Sequence, residues 1–290
     1  MAEGGWSIIV HGGARTIPAH RQAANRSGCR AAAGIGAAVL RAGGSALDAA
    51  EQAVRTLEDD PTFNAGSGSV ATATGEVEMD AAIMDGATLA VGAVAALGHI
   101  RNPVSVARLL LPEHTVLLVG EGARAFARAR GVPFEDVPAA VEPEPQHDTV
   151  GCVARDRSGT LAVATSTGGV PGQRFGRVGD APVPGCGFYA DNAAGGVAIS
   201  GDGESILRVL LASRAIDALA AGTPAAAAAS ALRHLERVGG EAGIIMLDAD
   251  GRFGIAHNSK HFAVALASNR LSGTISGIQY SDFEGHLPHG

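Results

Sequence analysis

Apolar positions recur along the chain with two different periods, and the switches between them divide it into elements. Residues 6–10 form an apolar run of strand length that ends in the turn His11-Gly12-Gly13. An alanine-rich stretch over 24–40 is helical in composition. Ser45, with Asp48 three residues on, predicts a capped helix that buries Leu47, Ala50, Val54 and Leu57 and stops near Asp59-Asp60-Pro61. Between 63 and 97 the text breaks into short apolar pieces at 70–72, 77–84 and 89–96, divided by glycine, which predict adjacent strands. Helical patterns at 104–111 and 121–129 flank a strand at 115–119.

Order then lapses. Residues 131–148 hold Pro133, Pro138, Pro143 and Pro145 among Glu135, Asp136, Glu142 and Glu144, a composition that suits a mobile acidic linker and splits the chain into near-equal halves. The second half restarts abruptly with strands at 149–153, 161–166 and 197–200, helices at 206–220 and 224–237, and strands at 243–247, 253–257 and 262–267. Runs of strands followed by runs of helices, twice over, predict two sheets with helices outside them rather than a strictly alternating chain.

Composition narrows the partners more than the fold. Of 290 residues 46% are hydrophobic and 18% charged, and the 41 glycines are dispersed, so the chain is globular and rich in loops. A net charge of -7 without a basic run argues against nucleic acid or an anionic membrane and for a small molecule or peptide. The first residues show neither a basic segment nor an apolar run of signal length, and Cys29, Cys152 and Cys186 have no metal-ligand spacing. The expectation is a cytoplasmic protein with free thiols.

Two motifs invite readings that their context weakens. Gly120-Glu121-Gly122-Ala123-Arg124-Ala125 nearly fits a dinucleotide fingerprint, but its helix runs into the linker instead of a second parallel strand, so the glycines read as a tight turn. His257 and His261 have the spacing of a helical metal pair, yet Asn258 and Ser259 between them are turn-like and no glutamate completes the motif.

The strongest constellation starts where the linker ends. Thr149 opens a strand within His147-Asp148-Thr149-Val150-Gly151, and three segments follow: Thr165-Ser166-Thr167-Gly168-Gly169, Gly176-Arg177-Val178-Gly179-Asp180 and Ser200-Gly201-Asp202-Gly203-Glu204. Together they offer hydroxyls, a charge pair for a zwitterion and backbone N–H groups at a glycine turn. With Val10-His11-Gly12-Gly13-Ala14, Phe63-Asn64-Ala65-Gly66, Glu78-Met79-Asp80-Ala81 and Met84-Asp85-Gly86, these segments make the chain resemble, over nearly its whole length, the plant-type L-asparaginase and isoaspartyl peptidase family. That group sits among the N-terminal-nucleophile hydrolases and is related to glycosylasparaginase.

The resemblance implies an α+β fold, the four-layer αββα sandwich, as one domain over 1–290 made of an α subunit (1–148) and a β subunit (149–290) after self-cleavage between Asp148 and Thr149. It implies Thr149 as nucleophile, with its freed amine as base because an amide nitrogen cannot serve. Thr167 would hydrogen-bond the nucleophile, the Ser200 hydroxyl and Gly201 N–H would hold the oxyanion, and Asn64 would reach the site from the first half. Arg177 would bind the substrate α-carboxylate, Asp180 and the Gly203 carbonyl its α-ammonium. No cofactor is implied beyond a structural sodium ion held by carbonyls of Leu57, Glu58, Asp60, Phe63, Ala65 and Ser67, where Asp59, Asp60 and Thr62 alter the usual wording. The implied substrates are L-asparagine or β-aspartyl dipeptides, and the implied assembly is a homodimer of cleaved protomers. Asp148 before the nucleophile is more like glycosylasparaginases, the alternative activity, whereas Gly168-Gly169 is more like the asparaginase branch. An uncleaved amino-acid-binding homologue is the reading from outside enzymology.

Overall fold

A computed structural model describes residues 4–140 and 149–285. Its first strand, β1 (Ser7–Arg15), runs straight through the expected turn. His11, Gly12 and Gly13 remain in the strand, and the surplus is absorbed by a register shift between His11 and Ala14 against its neighbour. Helix α1 (Ala19–Arg41) starts earlier than its composition suggests, directly after Pro18. In α2 (Ala46–Glu58) the cap is as expected: Ser45 Oγ accepts the Asp48 N–H at 3.1 Å. The rest of the first half comprises β2 (Met79–Asp85), β3 (Val91–Leu97), α3 (Pro103–Leu110), β4 (Leu117–Val119) and α4 (Gly120–Ala129). Residues 70–72 form no strand and contribute a single bridge between Ala71 and Val77.

The second half contains β5 (Thr149–Arg155), β6 (Leu161–Thr167), β7 (Phe188–Asp191), β8 (Gly195–Gly201), α5 (Gly203–Val209), α6 (Leu211–Leu219), α7 (Pro224–Leu232), β9 (Ala242–Asp248), β10 (Phe253–His257), β11 (His261–Ser268) and β12 (Ile275–Gly277). The single helix expected at 206–220 is therefore two, broken at Leu210, whose φ of 54° lies in the left-handed region.

Eight strands form one sheet in the order β12-β11-β1-β5-β6-β2-β3-β4, and four form another in the order β10-β9-β8-β7. Alternation along each strand sends residues to opposite faces. On the large sheet Ile8, Val10, Val150, Cys152, Ala154, Ala162 and Ala164 face a helical layer that includes Leu40, Ala53 and Leu57. Ile9, Val153 and Val163 face inward, where they meet Ala198, Ile245 and Leu247 of the small sheet. The outer side of that sheet, through Val197, Ile199, Ile244 and Met246, is covered by Ile206, Leu211, Ala215 and Ala228. The result is the expected αββα sandwich, with each fully buried branched or aromatic side chain contributing ~1.5–3 kcal/mol by its removal from water.

Both decoy motifs resolve structurally. Gly120, at φ 54°, turns β4 into α4, and β4 is the outer strand of its sheet, so among the described residues no parallel strand lies beyond it. His257 Nδ1 lies 2.9 Å from the Ser259 carbonyl oxygen, and His261 Nδ1 accepts the Ile17 N–H at 3.0 Å. Among the described residues no group of three or more His, Cys, Asp or Glu could hold a metal ion, and no helix is long and apolar enough to cross a membrane.

Candidate active site

Strand register assembles the hydroxyl groups. Thr149 pairs with Thr167 across β5 and β6, and Thr167 pairs with Asp80 across β6 and β2. Residues directly opposite share a face, so the three side chains form one row with neighbouring Cβ atoms ~5 Å apart. The alternation that sends Val153 and Val163 inward also sends Thr149 and Thr167 into the layer between the sheets. Ser200 reaches the same layer from β8, two residues beyond inward-facing Ala198. All four residues of this group are buried.

Ser200 Oγ accepts two backbone N–H groups, from Thr149 at 3.3 Å and from Ala14 at 3.1 Å. Its own proton remains available, and the Ala14 amide polarises it into a stronger donor. Ala14, the last residue of the His-Gly-Gly segment, is a participant that sequence reasoning missed, because only the fold places β1 against β8. Gly201 pairs with Ala242, while the next residue, Asp202, gives its N–H to the Glu241 carbonyl at 2.8 Å. The antiparallel alternation therefore turns the Gly201 N–H away from β9, toward the edge where β7 has ended. A Cβ at position 201 would lie 2.1 Å from the Glu241 carbonyl, so the close approach of these strands requires glycine.

His11 lies in the same inner layer, next to the Thr149 main chain. Burial lowers its pKa to about 3, partly offset by the Thr149 backbone, so the ring is neutral.

Asn64 does come from the first half, but both ends of its amide are engaged in a loop. Nδ2 donates to the Gly169 carbonyl at 2.7 Å, Oδ1 accepts the Val70 N–H at 3.1 Å, and its main-chain carbonyl accepts the Gly168 N–H. Gly169 N–H in turn donates to Thr167 Oγ1 at 3.1 Å. Asn64 thus braces the turn that follows Thr167.

The charged half of the site is held differently. Arg177 donates from Nε and Nη2 to the two oxygens of Glu204, each at 2.9 Å, and not to Asp180. Glu204, given no role from the sequence, is thus the residue that pairs with Arg177. Asp180 is buried, and its Oδ2 has no hydrogen-bond partner among the described residues. Burial pushes its pKa up to about 7 against the pull of Arg177. A Cβ at Gly203 would lie 2.9 Å from both Arg177 Nη2 and Asp180 Oδ1, so only glycine lets this main chain pass between the two charges. The arrangement offers a cationic fork, an unpaired carboxylate oxygen and a main-chain segment within one small region, the requirements for gripping an amino-acid zwitterion.

The segment proposed for a sodium ion folds tightly on itself. A Cβ at Gly66 would lie 2.3 Å from the Glu58 carbonyl oxygen and 2.8 Å from that of Arg101, and one at Gly68 would lie 2.0 Å from the Phe63 oxygen. The carbonyls of Leu57, Asp60, Phe63 and Ala65 each accept one backbone N–H, which leaves each a second lone pair. The Glu58 carboxylate is engaged elsewhere: Oε1 accepts the Val104 N–H at 3.1 Å and Oε2 the Asn102 amide at 3.2 Å.

Asp148 lies outside the described residues, as do 141–147 of the linker. Residues 131–140 have no helix or strand, yet Glu135 N–H bonds to the His99 carbonyl and Ala140 N–H to the Ser69 carbonyl.

The chain is similar to known proteins over most of its length. The family described as Asparaginase matches residues 4–144 and 135–276. An isoaspartyl peptidase/L-asparaginase of Danio rerio is 42% identical over 285 residues, covering 90% of this chain and 91% of the relative. One from Bos taurus is 42% identical over 302 residues, covering 95% and 96%. A plant-type L-asparaginase of Pyrococcus horikoshii is 42% identical over 307 residues, covering 94% and 99%.

Proposed function

The chain belongs to the plant-type L-asparaginase and isoaspartyl peptidase family, and on that premise we propose that it cuts itself before Thr149 and then hydrolyses the side-chain amide of L-asparagine or of β-aspartyl dipeptides. The observation that carries the reading is the position of the Thr149 nitrogen, 3.3 Å from Ser200 Oγ and in register with Thr167. Hydrolysis of the Asp148–Thr149 bond turns that nitrogen from an amide into an amine, which titrates near pH ~8 in model compounds and can take a proton.

In the proposed cycle the amine accepts the Oγ1 proton as Thr149 attacks the substrate carbonyl, giving a tetrahedral oxyanion. The Ser200 hydroxyl and the Gly201 N–H donate to that oxygen. Collapse expels ammonia or an amino compound with the proton and leaves a β-aspartyl ester on Thr149, which water hydrolyses to aspartate. Thr167 orients the nucleophile and Asn64 positions Thr167. Arg177 takes the α-carboxylate, while Asp180 and the Gly203 carbonyl take the α-ammonium, for which the unpartnered Asp180 Oδ2 is the support.

A sodium ion at the 57–67 loop, a homodimer of cleaved protomers and a cytoplasmic location belong to the same reading. The first is supported by the crowding of carbonyls around Gly66 and Gly68 and the last by buried Cys152 and Cys186, which form no disulfide. The names of the relatives favour this activity over glycosylated asparagine as substrate.

Intact-mass measurement before and after warm incubation tests the proposal. Two fragments meeting between Asp148 and Thr149, together with release of ammonia from L-asparagine, are expected. A chain that stays whole and binds amino acids without turnover would overturn it.

A further inference from the structure

Two carboxylates that the proposed cycle does not use flank the loop bearing Arg177. Asp80 lies in the Thr149 and Thr167 row and is almost fully buried, as is Glu78 two residues before it. Glu78 Oε2 accepts the Gly176 N–H at 2.8 Å, and Asp80 Oδ2 accepts the Gly179 N–H at 3.1 Å. These bonds hold the main chain on either side of Arg177, at one residue before it and two after it.

Asp80 is itself fixed from the other side. Its Oδ1 accepts the N–H of Ala96 at 2.9 Å, where β3 takes a left-handed turn at φ 48° beside the irregular pairing of Met79 and Ala81. Both oxygens of one carboxylate are thus committed to two amides from different segments. Asparagine could serve only one of them, because its second terminal atom is itself a donor. The negative charge of Asp80 also acts on Arg177, alongside Glu204 and Asp180.

We propose that Glu78 and Asp80 are positioning residues, a pair of carboxylates that clamps the 176–179 loop to the nucleophile row and so sets the preference for substrates with a free α-carboxylate. The proposal rests on the reading of Arg177 as the α-carboxylate binder. Neither side chain touches substrate, and each acts through the placement of the guanidinium. The clamp links recognition to reaction mechanically, since the strand that carries Asp80 is hydrogen-bonded to the one that carries Thr167.

The test compares L-asparagine with its α-carboxamide as substrates, and L-aspartate with its α-amide as ligands by calorimetry. Wild type, Asp80→Asn, Glu78→Leu and Glu78→Gln are measured. Preference for the free carboxylate is expected to shrink at least about fivefold in Asp80→Asn and Glu78→Leu, mainly through KM, whereas Glu78→Gln keeps an acceptor oxygen and stays within about twofold of wild type. General damage to the fold would lower both substrates together and leave their ratio unchanged. An unchanged ratio in Glu78→Leu and in any folded Asp80→Asn overturns the clamp. If wild type turns over neither substrate yet prefers L-aspartate to its amide, and that preference shrinks as stated, the reaction is misread and the clamp stands.

Discussion

The two halves of the site are built on different principles. The hydroxyl half, Thr149, Thr167 and Ser200, is placed by ladders of backbone hydrogen bonds, so its geometry follows from which strands pair and in what register. The charged half, Arg177 and Asp180, sits on a loop without regular structure and is placed by the side chains of Glu78, Asp80 and Glu204. A register is shared by many residues and tolerates single substitutions, whereas a loop held by individual side chains depends on each one. Reaction chemistry should therefore fail only when the reacting groups are removed, and recognition should fail by degrees.

The largest effect expected is that of Thr149→Ala. Loss of the nucleophile should leave a single uncut chain by mass and reduce amidase activity at least about 10⁴-fold, because no other group can carry the acyl intermediate. Ser200→Ala comes next: removal of one oxyanion donor costs ~3 kcal/mol, roughly 10²-fold in kcat, with KM changed little. Ser200→Thr, which keeps the hydroxyl, should recover most of that loss in the same assay.

On the recognition side, Asp180→Asn should lower kcat/KM for L-asparagine roughly 10–100-fold, the scale of a charge-assisted contact. Burial raises the Asp180 pKa to about 7, so the anion needed to hold an α-ammonium is lost as pH falls through that value. The acid limb should thus be steeper with L-asparagine, where loss of the Asp180 anion adds to protonation of the Thr149 amine, than with succinamic acid, which lacks the α-amine and responds to the Thr149 amine alone. A limb identical for both would locate the titration in the reaction half.

The smallest effect sharpens the contrast from outside the site. Burial raises the pKa of Glu58 to about 8, so the folded state binds its proton more tightly than the unfolded chain does. Stability therefore falls as pH rises from about 4.5 toward 8. Glu58→Gln should flatten that part of the Tm against pH curve, leaving the kcat/KM profile unmoved.

How much of this was legible in the sequence depended on whether the determining interaction was local. Ser45 and Asp48 announce the start of α2 because a cap is made within four residues. The break at Leu210 has no glycine to mark it, and β7 and β12, at four and three residues, are too short to display a period. Position 71 reads as a strand but has only one bridge, because no neighbour continues the ladder. The hydroxyl row was approachable through motif resemblance, and the register then brought its members together. That Arg177 pairs with Glu204, and that Asn64 spends its amide on Gly169 and Val70, are tertiary facts with no periodic signature.

The order of the large sheet carries one further consequence. β1 from the first half lies between β11 and β5 from the second, and β6 from the second lies against β2 from the first. After the proposed cut, the two polypeptides are interleaved like the fingers of folded hands, and neither can leave without tearing ladders on both sides. Maturation would then act as a ratchet: the mature protein unfolds as one body but must refold as two, at a rate set by concentration, so each molecule assembles easily once and only with difficulty again.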